Sequence, residues 1–399
     1  MFVPAVSLPK SAARVPTCRR GFTIVEILVV ILIIGILMAM LFAAVNSARD
    51  SARSLSSKNN LKQIGLAMQQ FNATNGYFPP SYLSREYNPY DPTDSSAQAF
   101  PGYAHLEGYS IHILLLPHLE QNLISEEIDF TKPYNYYVQL AADNPSGADR
   151  PLFTLADGSQ IPLSALRVPT YMSPGEPRDE IRQNKHHPIN YVVNVGTWFV
   201  WDPSTGEGGN GAAYPNSKLT GSSFVDGLGS TLAFAEVKAW NPYFRDSFKS
   251  HEELGPIPPT TPEQLAGLIG TPNQYKATAH TEWFNGHAHH AGFTTVFTPN
   301  TRVMIGDDAS GSASVNTSNT GNLDVDWTNK QEGKNHFGGS PDYSPTYAAI
   351  TARSHFPGGV NVSLMDGSVR KIADSVNLGV WRALSTRAGR EKLPNETLK

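Results

Sequence analysis

From Ile27 to Val45 every residue is apolar or glycine, with no charge and no proline. A helix on the surface of a soluble protein shows an apolar stripe and a polar back, and this run has no polar back. As an α-helix it reaches about 28 Å, close to the hydrocarbon thickness of a bilayer. The pattern therefore predicts a helix that lies in lipid. Beyond Val45 the apolar positions become spaced. Leu61, Ile64, Met68 and Phe71 recur at helical intervals, with Lys62, Gln63 and Gln69 between them. Asn75-Gly76 and then Pro79-Pro80 end the pattern, so one long helix is expected from about residue 23 to 73.

The rest of the chain alternates short apolar runs with Gly, Pro, Asn and Ser. Ile189–Val200, Thr231–Val237, Phe293–Thr298 and Val360–Met365 are the clearest strand candidates, rich in Val, Thr, Phe and Tyr. A short helix is expected around Ile111–Ile128, kinked or divided at Pro117. Residues 201–222, 241–280 and 305–346 read as long loops. Near the end, Val360–Met365, Asp366-Gly367 and Ser368–Ile372 read as a hairpin with a tight two-residue turn. Asp374 or Ser375 is then expected to cap a last helix, with Val376, Val380, Trp381 and Leu384 facing inward. The expected class is α+β: the second half of the long helix packs on a loop-rich, mainly antiparallel sheet with large insertions. Three regions follow: 1–21 as a cytoplasmic leader, 22–73 as the membrane and stalk helix, and 74–399 as an extracytoplasmic domain.

Charge sets the orientation. Residues 1–21 hold Lys10, Arg14, Arg19 and Arg20 and no acid, which predicts a cytoplasmic N-terminus and a body across the membrane. The remainder has 27 basic and 35 acidic residues, a mildly acidic balance with no basic run, so no nucleic-acid partner is expected. The one cysteine, Cys18, lies in the leader. A chain starting at Phe22 has no disulfide, thiolate zinc site or thiol nucleophile. A secretory signal peptide is the competing reading of the N-terminus. Against it stand the length of the run, Glu26 near its start, and only Phe42-Ala43-Ala44 as a weak cleavage signal.

Gly21-Phe22-Thr23-Ile24-Val25-Glu26 resembles the signature of type IV prepilins and of type II secretion pseudopilins. The resemblance implies cleavage between Gly21 and Phe22 by a membrane aspartyl prepilin peptidase, and methylation of the new Phe22 amine. It also implies a role for Glu26. A carboxylate in hydrocarbon is costly unless paired, and in that family its partner is the N-terminal amine of a neighbouring subunit, which sets assembly register. A glutamate at the interface facing water is the plainer alternative.

Further segments resemble one bacterial family that joins a prepilin-type N-terminus to a large secreted domain of unknown function. They are Asn59-Asn60-Leu61-Lys62-Gln63-Ile64-Gly65, Asn190-Tyr191, Asp226-Gly227 with Glu236, and Gly292-Phe293-Thr294-Thr295. Pro357-Gly358-Gly359-Val360-Asn361-Val362, leading to Asp366-Gly367-Ser368-Val369, completes the set. The chain departs from that family twice. Phe356 stands where a histidine normally precedes Pro-Gly-Gly, with His355 one residue earlier, a shift that reverses the face of a strand residue. Met172-Ser173-Pro174-Gly175 replaces a Cys-Pro-Ser-Asp stretch.

Other constellations invite chemistry. His280, His287, His289 and His290 have a spacing that suits zinc, or a polar loop bonded to backbone. Asp324 and Asp326, with Asp307, Asp308 and Asn322, offer oxygen ligands of the calcium type, as in some major pseudopilins, or are solvated loop acids. His355 and Asp366-Gly367 form the C-terminal motif, read either as a paired His and Asp or as a surface histidine and a turn. His251-Glu252-Glu253-Leu254-Gly255 has glycine where a zinc-protease helix needs its second histidine. Gly206-Glu207-Gly208-Gly209-Asn210-Gly211 matches a dinucleotide fingerprint but Pro215 follows where a helix must open.

No catalytic motif is complete, so a structural protein is expected, with no required cofactor. It is expected in the inner (cytoplasmic) membrane or at the cell surface, as a component of a type II secretion system or type IV pilus. Its expected partners are prepilin peptidase, membrane lipid, and other pilin-like subunits or itself. The competing reading is a membrane-anchored extracytoplasmic metal-dependent enzyme or carbohydrate-binding module, the latter drawing on Trp198, Trp201, Trp240 and Trp283.

Overall fold

A computed structural model describes residues 23–83, 108–130, 132, 134–138, 152–155, 157–246, 249–269, 274–305, 323–333 and 343–391. The chain divides into two units, residues 1–52 and 53–399. Helix α1 (Ile24–Asn75) is a single element of 52 residues. It is the only described helix long and apolar enough to cross a membrane, by length and composition.

In the larger unit, the second part of α1 carries its predicted stripe. Leu61, Ile64 and Met68 are fully buried, and Phe71 nearly so, in the main core. They pack with a five-stranded sheet whose spatial order is Gly292–Thr294, Tyr191–Gly196, Leu232–Glu236, Val360–Leu364 and Val369–Ile372. The first pair is parallel and the other three are antiparallel. A second five-stranded sheet runs Phe199–Trp201, Thr346–Ala349, Asp326–Thr328, Asn241–Arg245 and Gln274–Ala279. It surrounds a smaller core in which the Trp198 and Trp327 rings stack at 5.5 Å.

Several expectations are corrected by this arrangement. Ile189–Val200 is not one strand: the chain leaves the first sheet at Gly196, φ +119°, and enters the second at Phe199. Only glycine adopts that backbone angle at no steric cost. Residues 241–280 are not simply loop, because Asn241–Arg245 and Gln274–Ala279 pair antiparallel. The strand was hidden by Pro242, which lies where the register shifts between Asn241 and Tyr243, a position where a missing N–H costs the ladder little. Phe293–Thr298 contributes only Gly292–Thr294 to a sheet. The last helix is Leu378–Ser385, capped by Asn377, whose Oδ1 accepts from the Gly379 and Val380 amides at 2.9 and 3.3 Å. Pro117 divides the Ile111–Ile128 region as expected, into Ile111–Leu115, a 3₁₀ turn over Leu116–Leu119, and Asn122–Ser125.

The C-terminal hairpin also differs in its turn. Leu364 N donates to Ser368 O and Gly367 N to Leu364 O, which closes a three-residue loop with Gly367 left-handed at φ +78°. That turn lies on α1: Lys62 Nζ donates to Gly367 O at 2.8 Å, and Gln69 Nε2 to Met365 O. A Cβ at Gly65 would stand 3.1 Å from the Gly367 Cα, so the two backbones meet because neither has a side chain. Gly65→Val is expected to cost about 1–3 kcal/mol by overpacking, read as a lower urea midpoint. An unchanged midpoint would show that helix and turn separate freely.

Candidate functional site

Gly21 and Phe22, the expected processing residues, lie outside the described residues, as do Asp307, Asp308 and Asn322. Thr23 begins the described chain and forms a reciprocal cap with Glu26. The Thr23 amide and hydroxyl donate to Glu26 Oε2 at 2.8 and 2.9 Å, and the Glu26 amide donates to Thr23 Oγ1 at 3.2 Å. This satisfies amides that the first turn of a helix leaves unpaired, and puts negative charge at the positive end of the dipole. The apolar side chains that follow are bare within their unit, from Val45 at 46% to Ile24 at 81% exposed. Apolar surface on every side of one helix calls for lipid tails or other apolar helices as neighbours.

In the larger unit, the motif segments converge on a buried carboxylate. Glu236 ends a strand of the first sheet and is 2% exposed. Asn361 donates to it twice at 2.9 Å, from its amide nitrogen to Oε2 and from Nδ2 to Oε1. Ser57 of α1 donates its hydroxyl to Oε1, and Tyr191 OH donates to Ser57 Oγ at 2.9 Å. Asn60 Nδ2 reaches both Met172 O at 3.0 Å and Tyr191 OH at 3.4 Å. The partners on Glu236 are neutral donors, so its lone pairs are satisfied by dipoles within a connected network. The network ties α1 to three strands of the sheet. Sequence reasoning missed Ser57 and the convergence itself, because the partners are separated by 125 to 179 residues.

His355 and Asp366 have separate partners. His355 Nε2 lies 3.0 Å from Glu176 Oε2, while Asp366 Oδ1 accepts from the Ser368 amide at 2.8 Å inside the turn. Glu176 Oε2 also accepts from Asn190 Nδ2 at 2.7 Å and from the Ala239 amide at 3.1 Å. Burial pushes the Glu176 carboxyl up, but the hydrogen bonds from His355 and Asn190 and the charge of His355 outweigh it and hold it below the usual range. The two departures from the family pattern are thus in contact. A Cβ at Gly175 would meet the His355 Cβ at 2.9 Å and the Phe356 ring at 3.2 Å, so the glycine makes room for the shifted histidine.

The four clustered histidines are buried, but their rings do not converge on a point. Tyr82, His287, His289 and Tyr243 form a column with successive ring centroids 5.2, 5.6 and 5.0 Å apart and planes within 26° of parallel. Lone pairs of stacked imidazoles lie in parallel planes, whereas a zinc ion needs them aimed at one centre about 2.0–2.1 Å away. His287 Nδ1 lies 2.8 Å from Glu332 Oε2, and His290 Nε2 lies 3.3 Å from Glu282 Oε1. Glu282 is ionised against Arg182 and held well below the carboxylate range: burial opposes this, and the charges around it, Arg182 among them, prevail. His280 and His290 are pushed down by burial and stay neutral.

Asp324 and Asp326 face a buried cation. Arg353 Nη1 is 2.5 Å from Asp326 Oδ1 and Nη2 is 3.2 Å from Asp324 Oδ1. Among the described residues no group of three or more His, Cys, Asp or Glu is placed to hold a metal ion. Trp198, Trp201 and Trp283 are buried, and Trp240 packs under the Arg178 guanidinium at 3.8 Å, so the four do not form an exposed platform. The glycine run 206–211 is strapped by Arg387, whose Nη1 donates to Gly211 O at 3.0 Å and to Gly209 O. A Cβ at Gly209 or Gly211 would meet backbone and one at Gly208 the Tyr214 ring, while Gly206 has a left-handed φ of +75°, so local packing and backbone conformation account for these glycines. His251–Leu254 forms one short helical turn ended by Gly255 at φ +62°.

Comparison with known protein families accounts for the layout. Residues 16–42 match the model described as "Prokaryotic N-terminal methylation motif", and residues 46–379 match "Protein of unknown function (DUF1559)". No curated protein and no solved structure matches the chain. The second match spans well over half of the sequence and contains the whole Glu236 network. The chain therefore belongs to the DUF1559 family of proteins of unknown function, and carries ahead of the family domain a prepilin-type methylation motif on a single N-terminal membrane-anchor helix.

Proposed function

We propose that this is a prepilin-like (pseudopilin-like) membrane-anchored surface or secretion-system protein, cleaved after Gly21, N-methylated at Phe22, and structural rather than catalytic. The observation that carries the reading is the methylation motif opening directly into a helix that is apolar on every side. The basic leader supports a cytoplasmic N-terminus in the inner membrane and a domain beyond it. Prepilin peptidase is then the processing partner, with lipid and other pilin-like subunits or a second copy around the helix. Glu26 supports lateral assembly: it is exposed within its unit, and its described hydrogen bonds are to Thr23, one turn away. The methylated amine of an adjacent subunit is its proposed partner.

The test is the intact mass of the protein taken from its native membrane, with N-terminal sequencing. The expected product starts at methylated Phe22, and Gly21→Val is expected to leave nearly all chains at full length. A wild-type protein retaining residues 1–21, or one cut beyond Val45, would overturn the reading.

A further inference from the structure

A cleft of about 480 Å³ opens beside the second part of α1, within the larger unit. That volume falls in the range of small-molecule sites, about 300–1,000 Å³. Ser56, Asn60 and Gln63 form one wall; Arg167, Glu176 and Asp179 contribute the other. Among the described residues no aromatic ring lines it, so they offer no stacking face for a sugar.

Arg167 is oriented before any ligand arrives. Its Nε donates to Asp179 Oδ1 and Oδ2 at 3.0 and 2.9 Å, and its Nη2 donates to Oδ2 at 2.6 Å. His187 Nε2, 3.3 Å from Asp179 Oδ1, holds the carboxylate from the other side. A guanidinium has five N–H groups in a planar fork. Asp179 occupies the Nε–Nη2 edge, and Nη1 makes no hydrogen bond to described residues. The Nη1–Nη2 edge is therefore available to receive a carboxylate in two parallel bonds. Glu176 supplies the complementary acceptor. Its side chain is 2% exposed and Oε2 is filled by three donors, while among the described residues Oε1 accepts from the Arg178 amide alone, at 3.2 Å.

Each carboxylate already faces a basic partner, Asp179 with Arg167 and Glu176 with His355, so the cleft favours neither a simple anion nor a simple cation. The spare guanidinium edge favours a ligand that is not a simple cation. We propose that this cleft binds a small zwitterion, an α-amino acid or short peptide. Its carboxylate sits on the outer edge of Arg167 and its ammonium on Glu176 Oε1 and Asp179, with Ser56, Asn60 and Gln63 providing neutral hydrogen bonds.

The test is isothermal titration calorimetry of the full chain in detergent micelles with L-alanine, L-alanyl-L-alanine, acetate and methylamine. Saturable binding is expected for the two zwitterions, and acetate or methylamine should bind at least about tenfold more weakly. Arg167→Met should abolish alanine binding without moving the thermal midpoint, since Arg167 is half-exposed and its side-chain contact is to surface Asp179. If that variant does not fold, Ser56→Trp, which fills the cleft from the exposed face of α1, carries the same expectation. The proposal is overturned if neither zwitterion gives saturable heat. It is equally overturned if acetate or methylamine binds as well as alanine, or if binding survives the folded variant.

Discussion

Arg353→Met is expected to destabilise the larger unit by about 3–5 kcal/mol, because removing one partner of a buried ion pair strands the other charge. Arg353 is 4% exposed and Asp326 is 1% exposed. Burial works against the guanidinium charge, and the carboxylates of Asp326 and Asp324 overcome it. Without Arg353, Asp326 keeps only the Thr351 amide at 3.0 Å and Asn241 Nδ2 at 2.8 Å among its described hydrogen bonds. Those two bonds leave Asp326 with fewer donors than Glu236 has and remove its charged partner, so its burial is no longer offset. The Arg353→Met, Asp326→Asn double variant should therefore recover part of the loss. Urea unfolding followed by tryptophan fluorescence measures both, since Trp327 adjoins Asp326 in the same strand. A single variant with the wild-type midpoint, or a double variant no better than the single, would show that this cluster contributes little.

Acid should unfold the domain early, and His112 gives the effect its size. Burial pushes this imidazole from an ordinary 6.5 down to about 3, opposed only in part by its hydrogen bond to Tyr191 O. A carbonyl can only accept, so Nε2 carries the proton and Nδ1 is bare in the neutral ring. The unfolded chain binds a proton near pH 6.5 that the folded chain refuses until about pH 3. Stability is therefore complete above the unfolded value and is lost as pH falls between the two. For this one residue the loss amounts to about 5 kcal/mol by pH 3. His280 and His290, also lowered by burial, act in the same direction. His112→Gln can still donate to Tyr191 O but does not titrate. Its unfolding free energy, measured from pH 7 to pH 4, should fall less steeply by close to one proton. An unchanged slope would mean that His112 takes up its proton in the folded state.

Periodicity made α1 legible because both of its environments are continuous along the chain: apolar on every side from Ile27, then one stripe through Leu61 and Phe71. The methylation motif was legible for a similar reason, since its signature lies in six consecutive residues. The sheets were harder to read. Ile189–Val200 looks like one β run, and the backbone angle at Gly196 divides it between two sheets. Pro242 disguised a central strand by sitting at its bulge. The Glu236 network was visible only as separate motifs, because no local rule brings Ser57, Tyr191 and Asn361 together. The histidine cluster shows the converse: dense spacing offered either ligation or a polar loop, whereas Tyr82 and Tyr243, brought from far along the chain, stack His287 and His289 between them.

The contact between Gly65 and Gly367 has a consequence for biogenesis. The stalk helix is among the first segments made, yet the turn that covers its face is 305 residues later, measured from Lys62. Contacts of such separation form only after their loop-closure entropy is met, and only once both ends exist. At about 5–20 residues per second of synthesis, Leu61, Ile64 and Met68 wait tens of seconds with their intended cover untranslated. During that interval the nascent chain is an apolar anchor attached to a second, unsatisfied apolar stripe. A chaperone that shields this stripe until the final hairpin arrives would protect the molecule at its most vulnerable stage. A ribosome that stalls before Met365 would leave a chain unable to complete its core.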